Sequence, residues 1–288
     1  MTAAVTVIAP GAMGAAVGRW LVKHGAKVLT SLEGRSRATV ARAGNAGMIA
    51  ASDDEIAGSD FILSIVPPGE ALALAERLTP ALTRSNAKPV YVDCNAVNPA
   101  TARRVAAAIA ATGCAFADAG IIGPPPPAEG GKGVAEPRFY ACGAAAPRFA
   151  MLRNYGIDIR VLDGPAGAAS ALKMSYAGIT KGTQAIGAAM ILAAIRAGSA
   201  DALFAELSFS QKQMLAQFVA QLPRMPAKAY RWVAEMREIA GFVGEDAAAG
   251  EIYQGAADFY QRIAEDFATD KKDVAALVDF LHKGTPAS

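Results

Sequence analysis

The chain is short of the side chains that hold metals and build disulfides. Its 288 residues include only two histidines, His24 and His282, and three cysteines, Cys94, Cys114 and Cys142. Histidine-based triads and metal clusters are therefore poorly supplied. An odd cysteine count without paired short spacing argues against a disulfide framework or a zinc site, so the three thiols read as reduced core residues. Aromatic residues are scarce, 7% against 53% hydrophobic. Alanine thus carries much of the apolar count, which favours helices that pack closely. No charge excess is present either: 28 Lys and Arg against 26 Asp and Glu leave a net charge of +2. That gives no electrostatic ground for binding nucleic acid or an anionic membrane. Residues 1–9 lack a basic targeting stretch and lead directly into a glycine turn, so they read as a strand. The longest alanine-rich run, 182–195, is too short to cross a bilayer. The expectation is a soluble cytoplasmic protein with a small-molecule partner, and with neither nucleic acid nor membrane.

What is present is an alternation of strands and helices. Residues 5–9 form a short apolar run closed by Pro10-Gly11, as a buried strand would be. Residues 12–24 have apolar positions at helical spacing and stop at Gly25. Further strands are expected at 26–31, 48–50, 61–66, 89–93 and 114–119. Helices are expected at 35–44, 69–82 and 99–112, the last with Asn98 as N-cap before Pro99. Residues 139–142, a helix from Ala146 and residues 157–162 extend the sheet region. Such alternation means βαβ units and a parallel sheet. After Gly164 the pattern changes: 168–195 reads as one long helix, and helical periodicity continues through 201–222, 226–243, 247–267 and 270–282. The expected architecture is α/β, an N-terminal Rossmann-type domain over 1–163 with a mostly parallel sheet. An all-α domain over 164–288 follows, joined by a long interdomain helix.

The first turn, VTVIAPGAMG, is the first site candidate. In the dinucleotide fingerprint G-x-G-x-x-G, the three glycines allow a tight turn, close approach to pyrophosphate and close helix–strand packing. Here those positions are Ala9, Gly11 and Gly14. Alanine is tolerated at the first because Pro10 holds its predecessor extended. The helix N-terminus then offers free amides and a positive dipole end to a pyrophosphate. Ala9, Pro10, Gly11, Ala12, Met13 and Gly14 are the expected cofactor contacts. After the second strand the chain reads TSLEGRSRAT. Glu33 lies near the ~20-residue distance of the acid that binds an NAD ribose. Arg35, Ser36 and Arg37 follow it, and arginine forks with a hydroxyl suit the 2′-phosphate of NADP. NADP is therefore favoured over NAD, through Arg35 and Ser36 ahead of Arg37.

With these residues in hand, nearly the whole chain resembles the β-hydroxyacid dehydrogenase family, a relative of 6-phosphogluconate dehydrogenase. APGAMG resembles its GxGxMG, and GRS its Asn-Arg-Thr segment. SIVPP at 64–68 resembles the cofactor-contacting loop after strand four, which implicates Val66, Pro67 and Pro68. DCN at 93–95 lies where the family has Asp-x-Ser/Thr, and DAGIIGP at 118–124 where it has DxPVSGG. GPAGAASALKMSYAG at 164–178 resembles the catalytic-helix segment GxGxGxxxKxxNN. The resemblance implies an NADP-dependent dehydrogenase or reductase for a small hydroxy acid or related carbonyl. Lys173 would exchange a proton with the substrate hydroxyl while hydride moves to or from the nicotinamide. Lys173 is the only charged residue between Gly164 and Thr180, which sets it apart from an ordinary surface lysine.

Several positions depart from the family pattern. The two family asparagines after the lysine are Tyr176 and Ala177 here. Tyr176 lies one turn from Lys173, where its phenol either orients the lysine or substrate or packs in the core. The family serine is Ile122, and Pro124 to Pro127 have no amides. A substrate anion would then meet the amides of Ile122 and Gly123 and Lys132, with Asn95, in place of a family hydroxyl, as a remaining donor expected at both cofactor and substrate. AEMREIA at 234–240 resembles the family's lysine-aspartate helix with Ala234 at the lysine position, and Arg231 can restore the positive charge for a carboxylate. Two rival readings stay open: an imine reductase, against which Lys173 weighs, and an inactive cofactor sensor or structural protein. A homodimer is expected from the long, alanine- and glycine-rich helical half.

Overall fold

The structure is a computed structural model and describes residues 2–127 and 136–283. It divides into two compact units, Met1–Met174 and Ser175–Ser288. The division falls inside the long helix rather than ahead of it.

The first unit is a mostly parallel, eight-stranded sheet in the order β3-β2-β1-β4-β5-β6-β7-β8. Its strands are β1 Ala4–Ile8, β2 Lys27–Thr30, β3 Ile49–Ala50, β4 Phe61–Ser64, β5 Val90–Asp93, β6 Ala115–Ile122, β7 Arg138–Cys142 and β8 Asp158–Val161. Strands β1 to β6 run parallel, β7 turns antiparallel to β6, and β8 runs parallel to β7. The helices are α1 Ala12–Lys23, α2 Arg37–Asn45, α3 Asp53–Ala57, α4 Ala71–Arg84, α5 Pro99–Ala110 and α6 Ala146–Phe149. Successive strand residues point to opposite faces, and both faces are apolar. Val5, Val7, Leu63, Val90 and Val92 face one buried cluster. Ile8, Ile62 and Tyr91 face another, beneath α4 and α5. Burial on both sides explains why the strands read as continuous apolar runs rather than alternating ones.

Three local differences from expectation have simple causes. The short helix α3 was not anticipated: its core is one turn, but Ser52 and Glu55 close a reciprocal capping box that makes so short a helix stable. Strand β6 continues to Ile122 instead of ending at 119, because the antiparallel partner β7 pairs with residues 118–122. Residues 201–222 are not one helix but α8 Ala200–Ser210, α9 Lys212–Gln221 and a short 3₁₀ turn, broken where Gln211 leaves helical geometry.

Helix α7, Ala168–Arg196, runs through the division between the units. Its full 29 residues are long and apolar enough to cross a membrane, which the shorter run 182–195 did not suggest, and a soluble protein's core helix passes the same test. The second unit continues with α10 Pro226–Phe242, α11 Ala247–Ala268 and α12 Lys272–His282. Within it, Lys181 of α7 pairs with buried Glu235 of α10 and lies 5.1 Å from the Trp232 ring centroid. Tyr260 donates to the Lys181 carbonyl at 2.6 Å and meets Trp232 edge-on. Burial, with the Glu235 charge second, raises the Tyr260 hydroxyl above the usual tyrosine range.

Candidate functional site

The parallel strands bring their carboxyl ends to one edge. Ile8, Ser64, Asp93 and Asp118 pair in a single row across β1, β4, β5 and β6. Beyond that row lie the glycine turn, the 64–68 loop, Asn95 and the last turn of β6. In open α/β sheets, ligands bind outside this edge.

Helix α1 starts at the glycine turn with Gly11 as N-cap, and no side chain caps it. No acidic residue lies in its first turn. Nothing stands within 4 Å of where a Gly11 Cβ would be, so the approach to the turn is open. Gly14 is the opposite case: a Cβ there would run into the Ala9 carbonyl oxygen. That is the close strand–helix packing the third fingerprint glycine permits. Gly11 N–H donates to Ala9 O at 2.8 Å, and Pro10 is buried while Gly11 and Ala12 are exposed. Met13 is half-buried against the core. Arg42 donates to the Pro10 carbonyl at 3.1 Å, so α2 is tied to the turn by an arginine that sequence reading passed over.

Ser36 is the N-cap of α2, its hydroxyl accepting from Thr39 N–H at 3.3 Å and lying 3.0 Å from Thr39 Oγ1. Arg35 and Arg37 flank it, both exposed, and α2 has no acidic residue in its first turn. Cations at a helix N-terminus oppose the dipole. Two arginines there form a site that an anionic group would balance.

The 64–68 loop is held from β5. Asn95 is only 3% exposed. Its Oδ1 accepts Val66 N–H at 2.7 Å, and its Nδ2 donates to Ser64 Oγ at 2.8 Å and to Asp93. Both ends of the amide are engaged inside the protein, so Asn95 clamps the loop that presents Val66, Pro67 and Pro68. Burial, with the Asp93 charge second, raises neighbouring Tyr91 above its usual range.

Lys173 sits on α7 beside β6. Its Nζ donates to the Ile121 carbonyl at 2.9 Å, and its stem passes over Gly120. The ammonium is thus set at the end of β6, next to half-buried Ile122 and exposed Gly123. Asp118, fully buried, accepts from Gly167 N–H at 2.8 Å, Ser170 N–H at 3.0 Å and Ser170 Oγ at 2.6 Å. Sequence reading placed Asp118 in a motif without giving it this partner. Cys142 Sγ lies 3.3 Å from Asp118 Oδ2, and burial followed by the Asp118 charge pushes its thiol up to about 11. Burial also raises Cys94, with Asp93 and Asp118 adding to it. All three cysteines are buried and free. Tyr176, half exposed, and Arg231, stacked 5.6 Å over Tyr230, belong to the second unit. Lys132 lies outside the described residues.

Residues 4–136 match the NAD binding domain of 6-phosphogluconate dehydrogenase. Residues 194–263 match a domain of unknown function, DUF1932. An uncharacterised 28.5 kDa protein of Methanothermus fervidus is 30% identical over 166 residues, 57% of this chain and 60% of the relative's length. A solved conserved protein of unknown function, described as similar to 3-hydroxyacid dehydrogenases, is 28% identical with a TM-score of 0.66, over 90% of this chain and 99% of that one. The fold is also that of Mycobacterium tuberculosis 3-hydroxyisobutyrate dehydrogenase, with 22% identity, a TM-score of 0.67 and coverage of 96% and 98%. The Myxococcus stipitatus imine reductase in complex with NADP+ shares it at 20% identity and a TM-score of 0.53, over 98% and 100% of the two chains. The chain thus has a fold shared with these hydroxyacid dehydrogenase-like proteins and with imine reductases.

Proposed function

We propose that the protein is an NADP-dependent oxidoreductase acting on a small hydroxy acid or related carbonyl, with Lys173 as the proton-transfer group. The observation that carries this reading is the setting of Lys173, its Nζ bonded to Ile121 O at 2.9 Å at the carboxyl end of β6. Bound NADP(H) supplies the hydride acceptor or donor. The uncapped first turn of α1 fits a pyrophosphate, with amides and a positive dipole end and no Gly11 side chain in the way. Arg35 and the Ser36 hydroxyl, at the basic start of α2, fit the additional phosphate of NADP. The loop of Val66, Pro67 and Pro68, clamped by Asn95, gives the cofactor a fixed wall. Lys173 Nζ exchanges a proton with the substrate hydroxyl, while the backbone at Ile122 and Gly123 borders the same point. Tyr176 and Arg231 carry no step in this reading.

The test is Lys173→Ala. NADP-linked turnover of 3-hydroxy acids is expected to fall about 10²-fold or more, the usual worth of general acid–base catalysis. NADPH affinity should stay within about twofold of wild type, because the residue touches proton transfer and not the phosphate sites. NADPH binding without turnover of any alcohol, carbonyl or imine would instead identify a cofactor sensor.

The second unit supports a homodimer. Tyr176, Ile179, Thr183, Ile186 and Met190 follow one another on α7 at spacings of three and four, the pattern of a helix–helix seam. Ile179, Ile186 and Met190 are 69%, 57% and 62% exposed. A second copy of the same face would cover them.

A further inference from the structure

We propose that Asp118 and Gly120 of β6 are positioning residues for Lys173, an inference that rests on Lys173 being the proton-transfer group. Residues 118 and 120 point to the same face of the strand, because side-chain direction alternates with a period of two. On that face they meet α7 at two successive turns. The first meeting is a cap. The Asp118 carboxylate takes the amides of Gly167 and Ser170 and the Ser170 hydroxyl, at 2.8, 3.0 and 2.6 Å. Charge-assisted bonds of this kind are the stronger ones, and a carboxylate at a helix N-terminus is favoured by the dipole. Cys142 Sγ accepts the next amide, Ala169 N–H, at 3.2 Å. The first turn of α7 is thereby fixed to β6 and β7 by side chains 27 to 52 residues away in sequence.

The second meeting is a gap. Lys173 lies three residues beyond Ser170, one turn further along the same face of the helix. It lands on Gly120. A Cβ at position 120 would stand 2.9 Å from Lys173 Cβ and 3.2 Å from the Ala169 carbonyl oxygen. Neither neighbour can yield easily: one is the root of a side chain and the other is helix backbone. Glycine inside a strand often marks such a close approach. With the cap holding the turn and the gap admitting the stem, the Lys173 side chain is directed along β6 to the Ile121 carbonyl. Asp118, Gly120 and Ile121 thus fix the start, the middle and the tip of one path, and Lys173 has little freedom to leave it.

The test reads the Lys173 amine directly, without substrate or cofactor. The full-length protein is treated with formaldehyde and cyanoborohydride, and methylation of each lysine is followed by mass spectrometry, with exposed Lys27 and Lys228 as internal references. In Asp118→Asn, which keeps the shape but replaces one acceptor by a donor, the Lys173 rate relative to the references should rise about fivefold or more, as local opening of one turn would produce. Ser170→Ala should do the same, Ser170→Thr should stay near wild type, and Gly120→Ala should raise the Lys173 rate by displacing the stem. Unchanged Lys173 labelling in soluble Ser170→Ala and Gly120→Ala protein would overturn the proposal. So would a uniform rise across all lysines, which reports general loosening. If Asp118→Asn does not fold, the Ser170 pair decides alone. None of these outcomes depends on turnover, so they are separate from the Lys173→Ala test of the enzyme reading.

Discussion

Replacing Asn95 by alanine separates two roles for a residue that lies at the sheet edge. Its amide engages Val66 N–H at 2.7 Å, Ser64 Oγ at 2.8 Å and the Asp93 carboxylate. Each neutral bond contributes about 0.5–1.5 kcal/mol net, and a bond to a charged group about 1.5–3. Ser64 and Asp93 are buried, so their polar atoms would lose a partner that water cannot easily replace. The sum is a loss of about 4 kcal/mol. At about 2–4 °C per kcal/mol for large domains, the melting temperature should fall by roughly 8–16 °C. Freed from its clamp, the 64–68 loop should also weaken NADPH binding by about tenfold, or about 1.4 kcal/mol. Thermal denaturation and a fluorescence titration on the same preparation measure both. Asn95→Asp should be worse, since it sets a second carboxylate against Asp93. Lost cofactor affinity with an unchanged melting temperature would refute the clamp and make Asn95 a direct ligand contact.

Three further outcomes are expected. The thiols should not react with Ellman's reagent at pH 8 in the native protein, and all three should react in denaturant. Because burial raises Cys142 to about 11, the folded state holds its proton longer than the unfolded chain, where a thiol titrates near ~8.5. That stabilisation is complete below the unfolded value and is lost as pH rises toward the folded one. Denaturation midpoints should therefore drop between those two pH values, less steeply in Cys142→Ala, and equal slopes would contradict the account. The protein should run as a dimer at micromolar concentration without detergent, and Ile179→Asp with Ile186→Asp should give a monomer. A monomeric wild type would remove the α7 seam.

Much of the fold was legible because local signals and tertiary demands agreed. Apolar runs ended by Pro10-Gly11 and Pro67-Pro68, and Asn98-Pro99 at a helix start, marked boundaries within a residue or two of β1, β4 and α5. The capping box at Ser52 and Glu55 was also a readable S-x-x-E signal, hidden by the shortness and polarity of the segment it opens. The site was half legible. Glycine turns and basic helix starts are local, so their residues could be named. Asp118 with Ser170, Asn95 with Val66 and Arg42 with Pro10 are pairings across 52, 29 and 32 residues, which no periodicity reports. Gly120 did carry a signal, a glycine within a strand, but its meaning appears only once Lys173 is seen lying across it.

The central claim is that the α1 turn and the basic start of α2 together hold NADP(H). It is tested most directly by titrating NADPH and NADH against wild-type and Arg35→Ala protein, using nucleotide fluorescence. The account predicts that NADPH binds more tightly than NADH. It also predicts that Arg35→Ala weakens NADPH by about tenfold, the loss of one charge-assisted phosphate contact, with NADH unchanged. Binding of neither nucleotide, or equal NADPH affinity in both proteins, would contradict it.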